Sequence, residues 1–83
     1  MNDMYFTFQS LTAAQRGQSA CRRYGVAAEL TRAPRSFAVR GCGYALRVPS
    51  DGAGQVSLIL RLEQIPFERA YRLQNGGAEE VAL

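Results

Sequence analysis

Period-2 alternation opens the chain. Met4, Phe6 and Phe8 alternate with Tyr5, Thr7 and Gln9, the pattern of a half-buried strand. Ser10 then offers an N-cap, and the spacing predicts a helix from Leu11 to about Tyr24, stopped by Gly25. Its apolar face is Ala13, Ala14, Gly17, Ala20, Cys21 and Tyr24, at helical spacing. These groups are small, so the helix can lie close on a sheet. Cys21 belongs to this face and reads as a buried core residue.

Alternation returns at Val26 to Arg32, with Val26, Ala28 and Leu30 inward and Ala27, Glu29 and Thr31 outward. Pro34 ends that strand, since proline cannot donate to a ladder. A third strand runs from Cys42 or Gly43 to Val48, with Tyr44, Leu46 and Val48 on one face. After Pro49, Ser50 and Asp51 supply a cap for a second helix over 53–64, carrying Val56, Ile59, Leu60 and Glu63 along one face. Leu58 and Leu62 widen that stripe, as in a well-covered helix or a partner surface. Pro66 blocks continuation, and Phe67 to Leu73 reads as a fourth strand with Phe67, Tyr71 and Leu73 inward. Arg69 breaks the alternation, as an edge strand allows.

The order β-α-β-β-α-β with short right-handed connections predicts an α+β, ferredoxin-like fold: a four-stranded antiparallel sheet with two helices on one face. Residues 1–74 form its single domain, and 75–83 read as a flexible C-terminal tail. The expected core is Phe6, Phe8, Leu30, Leu46, Val48, Val56, Ile59, Leu60 and Tyr71. The uncovered sheet face would show Tyr5, Thr7, Gln9, Glu29, Thr31, Arg47, Glu68 and Arg72.

Composition narrows the chemistry. The 83 residues are 47% hydrophobic, normal for one small folded domain. No apolar run reaches membrane-spanning length, and Met1-Asn2-Asp3-Met4 shows no secretory signal. A cytoplasmic protein with reduced cysteines is expected, without membrane contact. Histidine is absent, which excludes a Ser-His or Cys-His catalytic pair within the chain. With two cysteines, a tetrahedral zinc site would need carboxylates or a second chain. No metal or cofactor is expected.

The ten bases are all arginine, and the net charge is +3. Four of them, Arg32, Arg35, Arg40 and Arg47, flank Cys42, and no acid interrupts the chain between Glu29 and Asp51. Gly41 and Gly43 leave the sulfur uncrowded. A thiol among arginines is a candidate for a lowered pKa, because positive charge favours the thiolate. In the predicted topology the first helix begins at the sheet end where the third strand starts, so Cys42 is expected near Ser10, Leu11 and Thr12. A helix N-terminus carries partial positive charge and unpaired N–H groups. The plain alternative is a hairpin loop with a buried cysteine and solvated arginines.

These elements resemble a known family, small bacterial domains called putative selenium/sulfur carrier-like. The matching residues are Tyr5-Phe6-Thr7-Phe8 followed by Ser10, then Pro34-Arg35, then Gly41-Cys42-Gly43-Tyr44-Ala45-Leu46-Arg47, and Ile65-Pro66-Phe67-Glu68 with Tyr71. The family often has serines just before its cysteine; here Ala38, Val39 and Arg40 stand there. The resemblance implies a thiol-based carrier in which Cys42 is the reactive residue and Arg35 an anion-holding neighbour.

Two functions therefore lead. In the first, Cys42 accepts a sulfane sulfur or selenium atom and presents it to a partner, with Arg35, Arg40, Gly41, Gly43, Arg47 and Ser10 around the anion. Such a chain is a carrier or accessory protein rather than a stand-alone enzyme. Its partners would be a protein donor or acceptor of sulfur or selenium. In the second, the cysteine is structural, and the open sheet face docks a protein or a second subunit as a homodimer. RNA recognition shares this topology but needs aromatics on the open face of the central strands. Only Tyr5 qualifies, so nucleic acid is not expected.

Overall fold

In a computed structural model describing residues 3–33, 43–74 and 77–83, the chain runs β1 (Asp3–Thr7), α1 (Leu11–Arg23), β2 (Glu29–Arg32), β3 (Tyr44–Pro49), a 3-10 turn (Ser50–Gly52), α2 (Ala53–Leu62), β4 (Arg69–Gln74) and β5 (Gly77–Val81). The strands form one antiparallel sheet in the order β2-β3-β1-β4-β5. The α+β class with two helices is as the sequence suggests. The sheet has five strands, not four: the stretch expected to be a tail carries β5, which pairs with β4 from Ala70–Val81 to Gln74–Gly77. Arg69–Glu80 and Arg72–Glu79 ion pairs join the two strands.

Local rules set the helix ends. Ser10 takes an extended backbone, and its Oγ accepts from the Ala13 N–H at 3.1 Å. This satisfies one of the four orphan donors of α1. Gly25, at φ 78°, closes the other end, a left-handed stop that glycine takes without steric penalty. α2 begins differently from expectation. Ser50 and Asp51 belong to the 3-10 turn, and Gly52 stands at the N-cap with no side-chain bond.

Both helices cover one sheet face. Met4, Phe6 and Phe8 meet Leu46, Val48 and Ala70 from the neighbouring strands, and Ala14, Ala20, Cys21, Val56, Ile59 and Leu60 from the helices. Leu30 is half-buried against this cluster. Gly17 fits where nothing larger would: a Cβ there would stand 3.0 Å from Leu46 Cδ1 and 3.2 Å from Leu60 Cδ2 and Phe8 Cζ. Tyr24, expected on the apolar face, is 47% exposed, and its hydroxyl donates to Glu63. Arg23 also pairs with Glu63, at 2.8 Å, and ties the ends of α1 and α2 together.

The fourth strand departs from its predicted parity. Strand pairing begins at Arg69, not Phe67. Phe67 precedes it and sets its ring edge-on to Phe6, centroids 4.9 Å apart. That ring occupies the space over Phe6, so the residue paired with Phe6 is the small Ala70. Tyr71 and Leu73 are thereby turned to the opposite face, where Tyr71 packs with Tyr5 and Ala45. Tyr71 is buried, but not in the main core. Arg72 moves with the same phase: it pairs with Met4, so it lies on the helix side rather than on the open face.

Candidate functional site

Pairing of Thr7 with Ala45 and Arg69 gathers four chain segments at one end of the sheet: the exit of β1 leading to Ser10, the entry of β3, the exit of β2 and the entry of β4. Thr7 holds β4 in place there. Its Oγ1 donates to the Arg69 carbonyl at 3.3 Å and accepts from the Arg69 N–H at 3.2 Å. Glu68 N–H donates to the Thr7 carbonyl at 2.7 Å. Both sides of a buried hydroxyl are satisfied, as burial requires.

Ser10 and Gly43 share this end. Ser10 is exposed and spends its oxygen on capping α1, whose first turn contains no acid. The positive end of the helix dipole is therefore uncompensated by its own residues. Gly43 sits at φ 75°, and its carbonyl accepts from the Ala33 N–H at 2.8 Å, extending the pairing of β2 with β3. Among the described residues, a Cβ on Gly43 would meet nothing within 4 Å. The backbone angle by itself favours glycine there. Arg32 lies over the Tyr44 ring, its guanidinium carbon 5.2 Å from the centroid, within range of a cation–π attraction. The observed register sets this pair: with the Ala33 N–H bonded to the Gly43 carbonyl, Arg32 falls opposite Tyr44.

Arg47 is positioned elsewhere. It lies three residues along β3, about 10 Å at strand rise, and pairs with Tyr5. Its guanidinium meets Glu29 and lies 3.9 Å from Asp3. With Arg22 these groups rim an open cleft of about 470 Å³ at the far end of the sheet. Cross-strand proximity of the acids to Arg47 was not legible without the register. Cys42, Arg35, Arg40 and Gly41 lie outside the described residues, as does the expected nearness of Cys42 to the start of α1.

Cys21 is fully buried and free, and desolvation pushes its thiol pKa up. Burial disfavours the thiolate, the form that reacts. Tyr5 and Tyr71 sit side by side on the uncovered face, yet are only 8% and 5% exposed, so their rings present little surface to a stacked base. Among the described residues no cluster of three or more His, Cys, Asp or Glu could hold a metal ion. Among them, too, no helix is long and apolar enough to cross a membrane.

Comparison with curated proteins and with solved structures gives no match. A family model described as "Putative Se/S carrier protein-like" matches residues 3–72, from the first residue of β1 into β4, leaving β5 beyond the match. That span includes the capping serine, the buried and the glycine-flanked cysteine and both helices, and by it the chain belongs to the Se/S carrier protein-like family.

Proposed function

We propose that this protein carries a sulfur or selenium atom on the Cys42 thiolate and hands it to a partner protein in the cytoplasm. The observation that carries this reading is the family match over residues 3–72. The state of Cys21 supports it: with that thiol sealed in the core and held protonated by burial, thiol chemistry in this chain falls to Cys42. The sheet order β2-β3-β1-β4 under two helices supports a ferredoxin-like description of the first four strands, with β5 an addition.

Loading is an exchange between sulfurs. The Cys42 thiolate attacks the terminal sulfur of a donor persulfide; a new S–S bond forms at Cys42, the donor's S–S bond breaks, and the donor leaves as thiolate. No external oxidant is consumed. The product is an anion, and Arg35 and Arg40 are the cations assigned to hold it, since guanidinium groups suit anions. Ser10, Gly41 and Gly43 are assigned with them as the residues around the anion. Arg47 already faces Asp3 and Glu29, and its part is to position β3.

The test is intact-mass measurement of the full chain after incubation with a small-molecule persulfide. A reductant-labile gain of about 32 Da is expected, or of about 79 Da when the donor is instead a small-molecule perselenide. It should vanish in Cys42→Ala and persist in Cys21→Ala. Absence of the adduct, or its survival in Cys42→Ala, would overturn the carrier reading. A second reading, a non-catalytic interaction module, is favoured by one observation: Leu58 and Leu62 stand in solvent on α2.

A further inference from the structure

The outer side of α2 has no role in the carrier reading, and the inference drawn from it is independent of Cys42. Leu58 is 60% exposed and Leu62 71%. Leu83, 40% exposed, lies beside them, its carbonyl accepting from Arg61 Nη2 at 2.8 Å. These are three of the five exposed large apolar side chains among the described residues, and such concentration marks contact surfaces. Helical spacing puts Gly54, Leu58 and Leu62 on one row. Opposite that row are the buried Ala53, Val56, Ser57 and Leu60. Gly54 is the second telling feature. Among the described residues a Cβ there would meet nothing within 4 Å, so no contact with them calls for glycine.

We propose that this face is an interface between two copies of the chain, with the α2 helices packed antiparallel about a two-fold axis at Leu58. Each Leu58 then meets its counterpart. Leu62 of one copy comes level with Gly54 of the other, where the absent side chain gives room to the leucine and to the Arg61 stem. Large faces small at both ends of the row, the self-complementarity an isologous contact needs. Charge agrees with a like partner. The helix contains no acid, and its one base, Arg61, bonds the Leu83 carbonyl. The patch is small beside the roughly 1,200–2,000 Å² of a standard interface, which makes the dimer weak and concentration-dependent.

Sedimentation velocity on the full chain tests this, over concentrations spanning dissociation constants from about 1 μM to about 1 mM. The wild type is expected to shift from monomer to dimer. Leu58→Glu, and independently Gly54→Leu, should raise the dissociation constant at least about tenfold, with circular dichroism unchanged. Leu58→Cys in a Cys42→Ser background should cross-link to itself on mild oxidation, because the position lies on the axis. A wild type that stays monomeric throughout would overturn the proposal, as would folded Leu58→Glu or Gly54→Leu proteins that dimerise as before.

Discussion

Gly17→Ala is expected to destabilise this protein, although alanine is the better helix former. In an open helix interior the change would gain about 1 kcal/mol. At position 17 the new methyl would stand 3.0 Å from Leu46 Cδ1 and 3.2 Å from both Leu60 Cδ2 and Phe8 Cζ. All three neighbours are fully buried, so each can yield only by displacing the next. Overpacking of a filled core costs about 1–3 kcal/mol, which leaves a net loss of about 1 kcal/mol after the propensity gain. For a domain of this size that lowers the melting temperature by about 4–8 °C. Urea unfolding should show a lower midpoint with an unchanged slope. Gly54→Ala is the internal control, in a helix and clear of the other described residues. Measured where the chain is monomeric, it should stabilise by a few tenths to about 1 kcal/mol. A Gly17→Ala protein as stable as the wild type, or two substitutions of the same sign, would refute the claim that close approach of α1 to β3 and α2 dictates glycine at 17.

Burial raises the Cys21 pKa, so the folded state keeps a proton that the unfolded state releases. Stability should therefore be complete below the ordinary thiol range, about pH 8.5, and fall as pH rises beyond it; urea midpoints from pH 7 upward should decline less in Cys21→Ala. Arg47→Met should lower stability by up to about 1 kcal/mol at low salt, since it leaves Asp3 and Glu29 facing each other; the deficit should shrink in high salt, and a salt-independent deficit would assign the loss to packing. Cross-strand ion pairs hold β5 to β4, so hydrogen exchange of β5 amides should accelerate in Glu79→Gln/Glu80→Gln while β1 amides stay protected. Equal acceleration in both strands would show that β5 is no separable unit.

The parts of the fold written in local chemistry were readable from the chain. Ser10 as cap, Gly25 as stop, the alternation of Met4, Phe6 and Phe8, and the small-residue face of α1 all state their roles within a few positions. What failed depended on partners distant in sequence. Tyr71 alternates correctly with Leu73, and only the ring of Phe67 lying on Phe6 shows why the strand shifts phase to put Ala70 inward. The fifth strand was hidden because Gly77 to Val81 is short and acidic, and becomes a strand once Arg69 and Arg72 stand opposite its glutamates. Arg47 shows the same limit: a base near a cysteine in sequence looks like an anion holder, whereas the register brings it Asp3 and Glu29.

The central place of β1 has a consequence for how the protein is made. β1 is translated before both of its neighbours in the finished sheet: Phe6 pairs with Leu46 on one side and with Ala70 on the other. Until Ala70 has been translated, Met4, Phe6 and Phe8 cannot be closed in, and β1 offers an unpaired edge, the kind of surface on which nascent chains associate. The sheet closes around β1 only after β4 has been made, so it assembles in one late step rather than strand by strand. Synonymous codons that slow translation before β4 would lengthen that exposed interval and reduce soluble yield, with no change in a single residue.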